Sequence, residues 1–122
     1  MAGLTPAPRG LGARGRRLWR RLVADFDFSV PELELLAEAC RTLDSIDFIA
    51  TALAGAELAI PGSRGQLTAH PLLAEQRQQR ELLGRLIGRL QLPDEDPDDA
   101  SAAATRFARR GAQARWYGPR RR

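Results

Sequence analysis

Two stretches of this chain, residues 29–54 and 71–90, repeat apolar side chains at helical spacing, and the interval between them is broken by Gly55, Pro61, Gly62 and Gly65. Two such helices joined by a turn-rich interval fold most simply as a long antiparallel hairpin. The start of the first is written twice. Ser29 followed by Glu32 is a capping box, and Pro31 falls in the first turn, where a missing N–H costs nothing. Leu35, Leu36, Ala39, Cys40, Leu43, Ile46, Ala50 and Leu53 make its main apolar face. Pro71 starts the second helix and Pro93 stops it; Leu72, Leu73, Leu83, Leu86, Ile87 and Leu90 share its stripe. The interval holds Leu58-Ala59-Ile60, then Pro61-Gly62-Ser63-Arg64-Gly65, then Gln66-Leu67-Thr68, and reads as a short β-hairpin or an ordered loop at the tip.

Several residues break these faces. Asp47 intrudes on the first, while Gln76, Gln79 and Arg80 lie inside the stripe of the second. Polar groups buried there would need partners. An antiparallel hairpin sets Asp47 level with Gln79 and Arg80, so an Asp47–Arg80 ion pair is expected, within one subunit or between two. Phe48 and Ile49 point away from the main face, toward a second packing surface. With Asp47, Gln76, Gln79, Arg80, Leu83 and Ile87 they form the expected self-association surface. The compact part, about 75 residues, is small enough for burial to be marginal in a monomer, and self-association would add apolar contact.

The ends differ in kind from this core. Residues 1–13 form a Pro/Gly-rich leader expected to be flexible. A short amphipathic helix over about 14–26 follows: Leu18, Trp19, Leu22, Val23 and Phe26 fall on one arc, and Arg16, Arg17, Arg20 and Arg21 on the opposite one. With the hairpin it makes a helical core domain, 14–92. An acidic linker, 93–99, carries Asp94, Glu95, Asp96, Asp98 and Asp99. The basic segment 100–122 can open with a short helix around Phe107, and Trp116-Tyr117 sits among arginines. All 19 basic residues are Arg, and the net charge is +4. Exclusive Arg fits a GC-rich genome as well as selection for guanidinium chemistry. Basic arms around a near-neutral middle suit a polyanion such as nucleic acid, or are solvated tails. Arg14, Arg16, Arg17, Arg20, Arg21 and Arg64 are the DNA-contact candidates.

Catalytic chemistry finds little to work with. His70 is the single histidine and precedes a proline at a helix start, where a local hydrogen bond is its ordinary use. One cysteine leaves no internal disulfide and no multi-Cys metal site, and Cys40 falls on an apolar face as a small hydrophobe. The glycines around Ser63-Arg64 lack the Gly-Lys-Ser/Thr of a phosphate loop and read as a tight turn. No catalytic residue, metal or cofactor is expected. No apolar run is long enough to span a bilayer, and the N-terminus lacks a signal-peptide apolar region, so the cytosol is the default.

In order, Leu18-Trp19-Arg20, Pro31-Glu32-Leu33-Glu34-Leu35-Leu36, Ala39-Cys40-Arg41-Thr42-Leu43-Asp44, Gly62-Ser63-Arg64-Gly65-Gln66 and His70-Pro71-Leu72-Leu73-Ala74-Glu75 resemble the small terminase subunit of tailed phages, in the form found in phages and prophages of high-GC bacteria. The resemblance continues through Arg77-Gln78-Gln79-Arg80 to Leu90-Gln91-Leu92-Pro93 and covers about residues 18–93. It implies a mainly α, ring-forming homo-oligomer without catalytic activity. Such a protein engages phage double-stranded DNA in the host-cell cytoplasm and hands it to the large terminase, the ATPase and nuclease that fills the procapsid. Mapped here, the helical hairpin is the oligomerising core and the basic N-terminal helix the first DNA candidate. Arg106, Phe107, Arg110, Trp116 and Tyr117 are the candidates for large-subunit contact. The alternative is a helical nucleic-acid-binding or adaptor protein unrelated to packaging.

Overall fold

The computed structural model describes residues 5–93; the acidic linker beyond Pro93 and the basic C-terminal segment, with Arg106, Phe107, Arg110, Trp116 and Tyr117, lie outside the described residues. Three helices and a two-stranded antiparallel sheet follow in the order α1 (Ala13–Asp25), α2 (Val30–Leu53), β1 (Ala59–Pro61), β2 (Leu67–Ala69) and α3 (Pro71–Leu90). The protein is mainly helical, with a small β-hairpin at the α2–α3 connection.

Local chemistry sets each boundary. At the start of α2 the Ser29 hydroxyl accepts from the Glu32 backbone N–H (3.3 Å), and the Glu32 carboxylate accepts from the Ser29 N–H (2.9 Å). Both bonds are shielded, since Ser29 is buried. Pro71 opens α3 behind His70, whose Nδ1 accepts the Leu72 N–H at 3.1 Å. That is the local use expected of this histidine. Gln91 closes α3 in the left-handed conformation (φ 53°), and Pro93 prevents the helix from resuming. In the β-hairpin Ala59 faces Ala69, Ile60 faces Thr68, and Pro61 faces Leu67. Gly65, at φ 79°, makes the reversal possible without steric cost.

α2 is the central helix. Leu90, near the end of α3, shares a cluster with Leu36, Ala37 and Cys40 from the first half of α2, so α2 and α3 run antiparallel. Gly15 of α1 lies against Cys40 and Asp44, and Arg14 against Asp47, so α1 also runs antiparallel to α2. Because α2 is covered by two neighbours, its burial spreads beyond the single face that periodicity suggests. Leu36, Ala39, Cys40 and Ile46 are buried from that face, and Ala37, Thr42 and Ile49 are buried besides. Thr42 satisfies its hydroxyl by donating to the Glu38 carbonyl at 2.7 Å.

Three expectations are corrected here. The leader is not free from residue 5 onward: Leu11 is 4% exposed, Ala7 packs on the core, and the Thr5 carbonyl accepts the Trp19 indole N–H at 2.9 Å. Its Pro/Gly content hid one well-placed leucine and one backbone acceptor. Ile49, expected beside Phe48 on a second surface, is 7% exposed and lies inside its own chain. Within one chain Asp47 does not reach Arg80; it accepts from Arg14 at 2.5 Å, because α1 covers that side of α2.

Candidate nucleic-acid interface

α1 is a helix with no cap of its own. Gly12 stands at the N-cap without a side chain, and the first turn holds no acid. The orphan N–H groups at a helix start need an acceptor, and the positive end of the helix dipole favours an anion there. Asp44 of α2 supplies both. Its Oδ2 accepts the Gly12 N–H at 2.6 Å and its Oδ1 accepts the Gly15 N–H at 2.9 Å. One carboxylate thus does across the helix interface what a capping box does locally, through two charge-assisted hydrogen bonds. The fit requires glycine: a Cβ at Gly15 would lie 2.3 Å from Asp44 Oδ2 and 2.8 Å from the Cys40 carbonyl oxygen.

Beyond that anchor, Trp19 and Val23 are buried in one cluster with Leu36, Ala37 and Cys40 of α2 and Leu90 of α3, and Leu18 and Leu22 pack at its rim. With this side committed, Arg16, Arg17, Arg20 and Arg21 are exposed on the other. Among the described residues the ion pairs are Arg14–Asp47 and Arg41–Glu38, so these four guanidinium groups have no acidic partner there. They span five helical steps, about 7.5 Å along the axis. The result is a compact, rigidly mounted cationic face, suited to phosphate oxygens.

The other candidate residues are distributed differently. Arg14 is half-exposed at the edge of the patch and engaged by Asp47. Arg64 is exposed at the β-hairpin tip, its backbone N–H donating to Gln66 Oε1 at 3.0 Å. The tip lies beyond the far end of α2, past the level of Asp47 where α1 begins, so the structure does not bring Arg64 into the α1 patch. Of the proposed association surface, Phe48 is 77% exposed and Arg80 is exposed, while Gln76, Gln79, Leu83 and Ile87 are half-buried. Gln79 donates to Glu75 at 3.0 Å within its own helix. Sequence reasoning missed Gly12, Gly15 and Asp44 as the residues that hold the basic helix. The available signal was a helix start without a capping side chain, which calls for an acceptor from elsewhere.

Cys40 sits directly beneath this anchor, fully buried. Burial, and then the Asp44 charge, push its thiol up to about 11, against smaller opposing effects of a hydrogen bond from the Trp19 backbone and of Arg41. Reactivity follows the thiolate. Alkylation with iodoacetamide at pH 8 is therefore expected to be negligible in the folded chain and prompt in denaturant. Rapid modification of the folded protein would contradict the packing of α1 over α2.

Among the described residues no three His, Cys, Asp or Glu side chains converge as a metal site, and no helix is long and apolar enough to cross a membrane. No family model, curated protein or solved structure matches this chain.

Proposed function

We propose that this chain is a non-catalytic small terminase subunit, which engages double-stranded phage DNA and assists the large terminase in packaging. The observation that carries the reading is the clustering of Arg16, Arg17, Arg20 and Arg21 on the outward side of an anchored helix. It occurs in a chain whose ordered segments, from Leu18 to Pro93, resemble that family. Since α1 lies flat along α2 and spends its apolar side on the core, the contact it offers is to the DNA backbone. Phosphate contacts position a protein on DNA without reading sequence.

A homo-oligomeric ring belongs to the same proposal. Support comes from the modest size of the core and from large apolar side chains left in water: Phe48 at 77% exposure on α2, and Leu58 and Leu67 at 52% and 74% about the β-hairpin. Mass by light scattering, with and without duplex DNA, tests the proposal. A closed oligomer of many subunits that gains mass with DNA is the expected result. A monomer or dimer indifferent to DNA would overturn it and favour the adaptor alternative.

A further inference from the structure

The β-hairpin carries its apolar residues on its exposed face. Side chains alternate between the two faces of a strand. Ala59, Pro61, Leu67 and Ala69 share one face; all are apolar and all are exposed, Leu67 at 74%. Ile60 and Thr68 share the other face, and there Ile60 is half-buried. The two edges differ as well. Gly62 donates to the Gln66 carbonyl at 2.6 Å, and His70 to the Leu58 carbonyl at 2.7 Å. Hydrogen-bonded pairs alternate along an antiparallel ladder, so Ile60 and Thr68 bond each other, and the residues on either side of them direct their backbone groups outward. On the β1 side Pro61 has no N–H to offer, which blunts that edge. On the β2 side Leu67 and Ala69 each present an N–H and a carbonyl. No charged residue or proline guards them, and both are exposed.

We propose that the outer edge of β2 pairs with the same edge of a second copy of this chain, antiparallel and centred on Thr68. The edge is its own complement under a two-fold axis. Leu67 then faces Ala69 of the second copy, and each such pair exchanges both backbone hydrogen bonds. The side chains agree with that register, because a leucine lies beside an alanine on the apolar face at each pair. Charge complementarity selects a second copy over a foreign strand. The two-fold sets the tip of each hairpin level with the base of the other. Arg64 at the tip and Glu57 at the base are both exposed, and neither has an ion pair in its own chain among the described residues. Between copies the axis brings them toward each other on both sides of the seam, where they fix register more than strength. A two-fold contact ends with two members and does not close a larger ring. In a ring-forming chain it joins one body to another. The pairing does not depend on the nucleic-acid reading of α1.

The test uses the full chain with Thr68→Cys. Residues directly opposite at a non-hydrogen-bonded antiparallel position have Cα atoms about 4.5 Å apart. That separation lies within the roughly 4.4–6.8 Å that a disulfide spans. Cys40 stays out of the reaction, being fully buried with its thiol pushed up to about 11. Ser63→Cys is the control, because Ser63 is equally exposed but the two-fold holds the tips far apart. With oxidised glutathione, Thr68→Cys is expected to form covalent dimer about tenfold faster than Ser63→Cys, since pairing raises the local thiol concentration. Adding Leu67→Pro removes an outward N–H that the seam needs and the hairpin itself does not use. That change is expected to bring the rate down to that of Ser63→Cys while helix content holds. Equal rates at Thr68 and Ser63, or a fast rate that survives Leu67→Pro, would overturn the pairing and leave the edge to solvent or a foreign strand. The light-scattering mass of the unaltered chain is a separate readout, so failure of the pairing leaves the ring proposal standing.

Discussion

Gly15→Ala is expected to destabilise the protein by about 2–4 kcal/mol, although alanine is the better helix former by about 1 kcal/mol. The added methyl group would sit 2.3 Å from Asp44 Oδ2 and 2.8 Å from the Cys40 carbonyl, one a short side chain and the other helix backbone. Asp44 cannot withdraw without breaking the two bonds it accepts from Gly12 and Gly15, and the Cys40 carbonyl is fixed in the backbone of α2. Hydrogen bonds to charged groups contribute about 1.5–3 kcal/mol each, and α1 would also lose contact around Trp19. For a domain of this size the change in midpoint temperature is on the order of 10–20 °C. Gly84→Ala and Gly88→Ala make the same chemical change in α3, where a Cβ meets nothing within 4 Å. Those two are expected to raise stability by about 0.5–1 kcal/mol each. Thermal melts of the three variants decide the matter. A Gly15→Ala protein that melts with or above the parent would show that α1 is not clamped on Asp44.

Replacing Arg16, Arg17, Arg20 and Arg21 together with Gln is expected to weaken duplex DNA binding by about 100-fold near 0.1 M salt. The slope of log affinity against log salt should become shallower by about 3.6, since each of four phosphate contacts contributes about 0.9. The four side chains are exposed and make no ion pair among the described residues, so circular dichroism and the melting temperature should hardly change. This separates loss of binding from loss of fold. An unaltered slope would remove α1 from the DNA contact and direct attention to Arg64 or to the C-terminal arginines. Titrations of both proteins at three or more salt concentrations give the answer.

The helices were legible because their ends are written in local chemistry. Ser29 and Glu32 cap α2 from three residues apart, and Pro71 and Pro93 bracket α3. The tip was legible as either a hairpin or a loop, since Gly62 to Gly65 mark a reversal without fixing the pairing on its two sides; the structure forms the hairpin. The arc of arginines on α1 followed from helical periodicity alone. What joins α1 to α2 was hidden, because it is a matter of which helix lies next to which. Asp47 on an apolar face looked like an intrusion facing α3, and it lies at the α1 side. Asp44 and Gly15 are separated by 29 residues in sequence, and neither has a distinguishing neighbour. Ile49 faced away from the main stripe only because one stripe had been assumed for a helix that two others cover. A helical wheel gives angles; it does not say who occupies them.

The β-hairpin at the tip has a different kind of independence. Of its strand residues only Ile60 is half-buried, the rest being exposed. Two paired strands are barely stable by themselves, so the body holds their ends and gains little from them. Substitutions or short insertions between Gly62 and Gln66 thus leave the helices their full cohesion, and a foreign epitope placed there should be displayed without unfolding its carrier. In any relative of this chain, sequence drift at the tip would record what the tip meets, while drift at Gly15 or Asp44 would record only what the fold forbids.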